Sequence, residues 1–226
     1  MLTGGRRGAR ERSRSPLGPR FQKAWIYASR MHAGQTRKGA DVPYVAHVMG
    51  VASLVLEAGG DEDLAIAALL HDVVEDCGGA PRLREIERRF GKRVAGIVDG
   101  CTDSYVYPKP PWRERKEAYL QKLRQEDEDV RLVSAADKLY NARSILADYR
   151  RIGESVWERF NGGRAGSLWY YRALVTELLR KPNPLAEELR RVVAELERVA
   201  GNKAEPARVP ARAQAGSKGG IKSWLA

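Results

Sequence analysis

The sequence predicts an all-α protein of about eight to ten helices, and three observations lead to that prediction. Apolar residues recur at helical spacing through most of the chain, as Ala24, Tyr27, Ala28 and Met31 do in the first segment. Glycine, proline and aspartate stand between such segments, where they commonly begin or end helices. No segment alternates apolar and polar residues between turns in the manner of a strand.

Most predicted helices start at a recognisable residue. Pro43 suits the first turn of the second helix, and Asp61 is a natural N-cap for the third. Asp127 begins a long helix, and Pro184 opens the last one. The predicted helices cover residues 21–34, 43–60, 61–77, 81–90, 93–102, 112–125, 127–153, 166–180 and 184–198.

The net charge of +11 belongs mostly to the two ends of the chain. Residues 1–20 carry +5 and residues 201–226 carry +4, which leaves +2 for residues 21–200. Both ends lack apolar periodicity, so we predict two disordered basic tails around one domain of residues 21–200. Solvated tails of this kind need no dedicated partner, and we expect no specific nucleic acid.

Three further features limit the class of protein. No apolar run approaches the roughly 20 residues that a membrane-spanning helix needs, so no membrane partner is expected. The basic N-terminus is not followed by the apolar stretch of a secretory signal. Cys77 and Cys101 have neither redox-motif spacing nor the density of a disulfide scaffold, which favours a reduced, cytoplasmic protein.

Two of the three histidines indicate a metal site. His71 and Asp72 follow the apolar run AIAALL (65–70), where burying a lone carboxylate is costly and a bound divalent cation would compensate its charge. Consecutive helical residues diverge by about 100°, so other helices must complete the coordination shell. His47 and Asp137 are the candidates for that role.

Two imidazoles and two carboxylates form a mixed nitrogen and oxygen set. Such a set suits Mn²⁺, Fe²⁺ or a similar divalent first-row ion better than a sulfur-rich structural zinc site. Glu75 and Asp76 lie one helical turn beyond His71 and Asp72. A carboxylate there can take a proton from water or return one to a leaving group, so the residues predict a metal-dependent hydrolase.

Substrate-binding candidates flank this set. Asn141 lies one turn after Asp137 and Ser144 nearly another, so both should face the same cavity. Arg37 and Lys38 form a candidate clamp for a phosphate or a nucleobase, because a guanidinium can both fork onto an oxyanion and stack on a ring. Taken alone, such loop cations are equally typical of a solvated surface.

Five stretches of the chain resemble the HD-domain hydrolases of the RelA/SpoT type, and specifically the free-standing small alarmone hydrolases that include metazoan SpoT homologues. They span most of residues 30–150 in the family's order and spacing, and their combination is far more specific than the two letters HD. The stretches are HAGQTRKG (32–39), PYVAH (43–47), AALLHDVVED (67–76), FGKRVAGIVDGCT (90–102) and AADKLYNARS (135–144).

The resemblance implies an HD-domain helical bundle that releases pyrophosphate from the 3′ position of ppGpp or pppGpp and returns GDP or GTP. The chain is too short to hold a synthetase domain as well, so hydrolysis alone is expected. The resemblance assigns metal ligation, typically of Mn²⁺, to His47, His71, Asp72 and Asp137, proton transfer to Glu75 and Asp76, and nucleotide contacts to Arg37, Lys38, Asn141 and Ser144.

The chain departs from the long bifunctional enzymes at three places. GADVP (39–43) stands where those enzymes usually have SGEP, so base recognition is expected to differ there. Val48 replaces the usual proline after the ligand histidine. GGRAGSLWYYRAL (162–174) resembles the small members; its aromatic residues Trp169–Tyr171 are typical of a helix core, and Arg164 is a weaker candidate for a phosphate contact.

Two other functions stay open. The same chemistry on another nucleotide, such as the 2′-phosphate of NADPH, would release orthophosphate instead of pyrophosphate. A non-catalytic nucleotide-sensing or RNA-associated module would be favoured by a broken ligand set, whereas all four candidate ligands and both acids are present.

Overall fold

The computed structural model describes residues 17–105 and 108–201. Within these ranges the chain forms ten α-helices, one 3₁₀ helix and no strand, which confirms the predicted all-α class. The helices are α1 (Pro19–Met31), α2 (Val45–Glu57), α3 (Glu62–Leu70), α4 (Val73–Cys77), α5 (Ala80–Phe90), α6 (Lys92–Cys101), α7 (Trp112–Gln125), α8 (Glu128–Ile152), α9 (Gly163–Leu178) and α10 (Pro184–Gly201), with the 3₁₀ helix Gly153–Arg159 between α8 and α9.

The predicted tails meet the structure only at their inner edges. Helix α1 begins at Pro19, two residues inside the segment 1–20, and α10 ends at Gly201. Residues 1–16 and 202–226 of the predicted tails lie outside the described residues. None of the described helices is both long and apolar enough to cross a bilayer.

The prediction of one continuous helix over residues 61–77 was wrong. The chain turns at His71 and Asp72, between α3 and α4. Asp72 has φ −95° and ψ −7°, well away from the ψ near −42° of an α-helix. At this break the His71 Nδ1 donates to the Ala68 carbonyl at 2.8 Å. Apolar periodicity continues through the turn, so periodicity alone did not reveal it.

Two aspartates cap helices as the sequence predicts. Asp61 Oδ1 accepts a hydrogen bond from the Leu64 amide at 3.0 Å, and Asp127 Oδ1 accepts one from the Val130 amide at 2.9 Å. These bonds satisfy amides that a helix start would otherwise leave without an intrahelical acceptor. They fix the beginnings of α3 and α8, the two helices that lead to the acids of the site.

Helix α8 is the element around which the domain assembles, because α2, α6, α10 and the 3₁₀ helix all pack against it. Its contact with α2 is very close, since a Cβ at Gly50 would lie 2.0 Å from Tyr140 Cε2. Gly50 follows His47 by one turn, and Tyr140 follows Asp137 by one turn. The close approach therefore sets two of the predicted metal ligands opposite each other.

Two glycines of α6 form a matched pair for testing the packing of α6 on α8. A Cβ at Gly100 would lie 2.6 Å from Val130 Cγ2, whereas a Cβ at Gly96 would meet nothing within 4 Å. We expect Gly96→Ala to raise the free energy of unfolding by about 0.5–1 kcal/mol through helix propensity. Gly100→Ala should lower it by about 1–3 kcal/mol through overpacking. Urea denaturation measures both, and equal stabilisation by the two variants would contradict the close packing of α6 on α8.

Candidate metal centre and active site

The two predicted histidine ligands and Asp137 converge in the interior of the domain. His47 comes from α2, His71 from the end of α3 and Asp137 from the middle of α8. The two Nε2 atoms lie 3.3 Å apart, and Asp137 Oδ1 lies 3.3 Å from that of His47 and 3.6 Å from that of His71. Within residues 17–105 and 108–201 these three form the one group compact enough to share an ion.

The fourth predicted ligand, Asp72, lies beside this group. Its Oδ2 is 2.9 Å from His71 Nε2 and 3.4 Å from His47 Nε2. The same oxygen accepts a hydrogen bond from the Tyr44 hydroxyl at 2.5 Å. The break between α3 and α4 thus places Asp72 where its carboxylate reaches both imidazoles.

The spacing of the donor atoms fits a first-row cation. Metal–ligand bonds of about 2.0–2.2 Å put neighbouring ligand atoms about 3.0 Å apart in an octahedron and about 3.4 Å apart in a tetrahedron. The observed separations among His47, His71 and Asp137 are 3.3–3.6 Å. The hydrogen bond from His71 Nδ1 to the Ala68 carbonyl also leaves Nε2 as the acceptor of the neutral ring, the orientation that ligation requires.

Asp137 is held in its charged form by its neighbours. Lys138 Nζ donates to Oδ2 at 2.6 Å, and Asn141 Nδ2 donates to Oδ1 at 2.6 Å. Burial by itself would raise the pKa of Asp137, but Lys138 and the two histidines outweigh burial and keep the pKa well below its usual range. A carboxylate that is charged at neutral pH is the form a cation needs.

The predicted acid pair lies on α4 and behaves differently. Burial raises the pKa of Glu75, and Asp103 adds to that effect. Burial, then the charges of Asp72 and Glu75, raises the pKa of Asp76 well above its usual range. Lys109 Nζ contacts both acids, at 2.7 Å from Glu75 Oε1 and 3.8 Å from Asp76 Oδ1. The pair can therefore hold a proton at a pH where a solvated carboxylic acid has lost it.

Asp103 anchors the cations that surround the acid pair. Its Oδ1 lies 2.8 Å from Arg115 Nη1, and its Oδ2 lies 2.6 Å from Lys116 Nζ. Burial opposes its ionisation, but Lys116 and then Arg115 outweigh burial and hold the pKa of Asp103 well below its usual range. This buried ionic cluster fixes the start of α7 beside Glu75.

A cavity of about 540 Å³ opens beside the metal candidates. Six cationic side chains and one carboxylate, Asp148, line it among the described residues, so it favours an anionic ligand. Several aromatic rings also border the cavity, which is typical of a site for a nucleobase. The charged and aromatic lining residues are Arg37, Lys38, Lys116, Lys138, Asp148, Arg151, Arg159, Tyr44, Trp112, Tyr140, Phe160, Tyr170 and Tyr171.

All four predicted substrate-binding residues line this cavity. Arg37 Nη2 donates to Asn141 Oδ1 at 2.8 Å, and the Arg37 guanidinium lies 5.6 Å from the centre of the Tyr140 ring. Lys38 is exposed, but partial desolvation together with the charge of Lys109 lowers its pKa. The Ser144 hydroxyl donates to the Tyr140 carbonyl at 3.0 Å, so its oxygen is available as an acceptor.

The candidates of the segment 162–174 differ in whether they line the cavity. Tyr170 and Tyr171 are buried, as a helix core requires, and both also border the cavity, whereas Trp169 does not. Arg164 lies outside the cavity and donates to the Ala200 carbonyl.

Sequence reasoning missed several residues of the site. Lys109, Lys116 and Lys138 contact its acids, and Arg159 reaches the cavity from the 3₁₀ helix. Lys138 had a local signal, since it adjoins Asp137. The others are brought in by tertiary packing.

The fold and this site define the class of protein: the chain belongs to the HD domain family, whose model matches residues 24–168. Relatives from Xenopus tropicalis, Homo sapiens and Mus musculus carry the name guanosine-3′,5′-bis(diphosphate) 3′-pyrophosphohydrolase MESH1. The Xenopus tropicalis protein is 35% identical over 164 residues, which are 71% of this chain and 85% of that protein. The Homo sapiens protein is 38% identical over 122 residues, which are 53% of this chain and 65% of that protein.

A solved structure is similar over most of the domain. It is described as a metazoan orthologue of SpoT that hydrolyses ppGpp. The TM-score is 0.67 at 27% sequence identity, and the match covers 80% of this chain and 98% of that one. These findings confirm the family that the sequence motifs indicated.

The Asp103 cluster gives a pH prediction. Asp103→Asn removes a buried counter-charge of Arg115 and Lys116 and should cost about 3 kcal/mol of stability at pH 7. Because the folded-state pKa is depressed, the contribution is complete above the unfolded-state pKa of about 3.9 and is lost as the pH falls below it. Urea denaturation of both proteins between pH 7 and pH 2 measures the difference. A difference that stayed constant down to pH 2 would contradict the assigned ion pairs.

Proposed function

We propose that the protein is a metal-dependent guanosine-3′,5′-bis(diphosphate) 3′-pyrophosphohydrolase that converts ppGpp or pppGpp to GDP or GTP and pyrophosphate. The observation that carries the proposal is the buried His47, His71 and Asp137 cluster beside a cationic cavity large enough for a nucleotide. The match covers 85% of the Xenopus tropicalis protein and 98% of the solved structure. Both are named or described as acting on ppGpp, which supports the same substrate here.

The cation would be Mn²⁺ or another divalent first-row metal, held by His47, His71, Asp72 and Asp137. Two imidazoles with carboxylates and no thiolate favour such an ion. When bound, it would polarise a phosphoryl oxygen and make nearby water more acidic. Lys138, beside the ligand Asp137, and Lys109, beside Glu75 and Asp76, would balance the charge of the diphosphate.

The proton chemistry would fall to Glu75 and Asp76. Water attacks the phosphorus attached to the 3′-oxygen, and the bond between that phosphorus and the 3′-oxygen breaks. One carboxylate of the pair takes the proton of the water, and the pair returns a proton to the departing 3′-oxygen. Their raised pKa values suit a pair that must alternate between the two forms.

The nucleoside would be held by cavity-lining residues next to Asp137, which Asn141 contacts. The Arg37 guanidinium is oriented by Asn141 and lies over the Tyr140 ring, which suits stacking on a base. Ser144 and Asn141 offer hydrogen bonds to the base or ribose.

A cytoplasmic location stays a prediction. Cys77 and Cys101 are free thiols, as a reducing compartment favours.

A substrate panel tests the reaction. Protein loaded with Mn²⁺ should release pyrophosphate from ppGpp and pppGpp, and chelation should abolish the activity until Mn²⁺ is returned. Ion chromatography of the products separates pyrophosphate from orthophosphate. Orthophosphate released from NADPH, with ppGpp left intact, would instead establish the alternative nucleotide substrate. Binding of ppGpp without turnover of either compound would favour a nucleotide sensor.

Two variants separate metal binding from proton transfer. Asp72→Asn replaces the carboxylate that reaches both histidines by a neutral amide. We expect this variant to lose bound Mn²⁺ and activity together. Glu75→Gln keeps the shape of the side chain and should keep the metal, while kcat falls about 10²–10⁴-fold. Metal content by mass spectrometry and kcat for ppGpp give the two readouts. Full activity of Glu75→Gln would remove Glu75 from the proposed proton path.

A further inference from the structure

The cavity extends along α8 well beyond the metal candidates. Its far end is formed by Asp148, Arg151 and Arg159. Asp148 lies eleven residues after Asp137 on the same helix, a separation of about 16 Å along the axis. A diphosphate group at the metal ligands could not also contact the Asp148 end. A different part of the same ligand would have to bind there.

Arg159 is firmly held in this position. Its Nη1 donates to Asp148 Oδ2 at 2.6 Å, and its side chain is 16% exposed. Its aliphatic part lies against Gly39, where a Cβ would approach Arg159 Cδ to 2.5 Å. Arg159 therefore joins the 3₁₀ helix, α8 and the loop that carries Arg37. Such a fixed guanidinium has little side-chain entropy to lose on binding an anion.

The far end carries an excess of positive charge. Asp148 Oδ1 also accepts from Arg151 Nη2 at 2.7 Å, so two guanidinium groups share one carboxylate. Two lining lysines lie towards the other end, because Lys138 contacts Asp137 and Lys116 contacts Asp103, which anchors the cations around the acid pair. The cavity thus has two separate cationic regions, one beside the reacting groups and one at the Asp148 end.

We propose that Arg159, oriented by Asp148 and Gly39, binds the 5′-diphosphate of the nucleotide while the 3′-diphosphate lies at the metal ligands. The inference rests on the proposed function and adds a substrate-specificity residue to it. A ligand with a charged group on each side of a nucleoside matches two cationic regions separated by an aromatic and polar middle. Arg159 touches only the non-reacting end, so it should affect KM more than kcat.

A cycle of variant and substrate tests this assignment. Arg159→Met keeps the aliphatic packing on Gly39 and removes the charge. We expect kcat/KM for ppGpp to fall on the order of tenfold, mostly through KM, the size of a charge-assisted hydrogen bond near a surface. On guanosine 3′-diphosphate, which lacks 5′-phosphates, the variant and the unchanged protein should differ by less than twofold. Arg159→Lys should recover part of the loss.

The control variant is Arg143→Met. Arg143 is an exposed arginine of α8 outside the cavity, paired with Glu188 at 3.4 Å. Its replacement should leave kcat/KM unchanged for both substrates. Equal loss on both substrates with Arg159→Met would show a general effect on the fold or loop and overturn the proposal. A changed preference for guanosine over adenosine bis(diphosphate), with no dependence on the 5′-phosphates, would assign Arg159 to the base and overturn it as well.

Equilibrium binding separates this inference from the proposed function. Calorimetry with GDP and with guanosine needs no turnover, so it reports on the 5′-diphosphate even if ppGpp is not hydrolysed. Arg159→Met should raise the Kd for GDP on the order of tenfold and leave the Kd for guanosine unchanged. If GDP binds equally to both proteins, the Asp148 end does not hold the 5′-diphosphate, whatever the outcome of the hydrolysis assay.

Discussion

The close approach of α2 to α8 is the constraint on which the site depends. Two helices can come this near only where one of them lacks a side chain, and Gly50 provides that place for the ring of Tyr140. The approach brings His47 Nε2 within 3.3 Å of Asp137 Oδ1, and both side chains are buried. Ionisable groups that are buried together need a compensating charge. The same packing that closes the domain therefore favours a bound cation at this point.

The buried acids near this contact are compensated in two ways. Asp137 and Asp103 each receive a close cation, so their pKa values are depressed and both stay charged. Glu75 and Asp76 share the single amine of Lys109, and their pKa values are raised. The same carboxylic chemistry therefore yields fixed charges at the proposed ligand and the anchor, and groups that can hold a proton at the proposed acid pair.

The all-α class, most helix limits and the convergence of His47, His71 and Asp137 could be predicted because their signals are local. Helical periodicity and capping aspartates such as Asp61 act within a few residues, and a histidine after an apolar run is visible in the sequence. The turn at Asp72 could not be predicted in this way, since periodicity runs through it. Lys116 and Arg159 enter the site from α7 and the 3₁₀ helix, and only tertiary packing reveals their place.

The division between helices and connections also bears on specificity. The candidate metal ligands lie on or at the ends of packed helices, where a shift of one side chain would disturb the core. Arg37 lies in a loop between α1 and α2, and Arg159 lies at the end of a 3₁₀ helix. These two segments meet at Gly39, so a change in either can move the other without altering the metal ligands. In the proposed enzyme, nucleotide preference would therefore vary through this contact, which contains none of the candidate metal ligands.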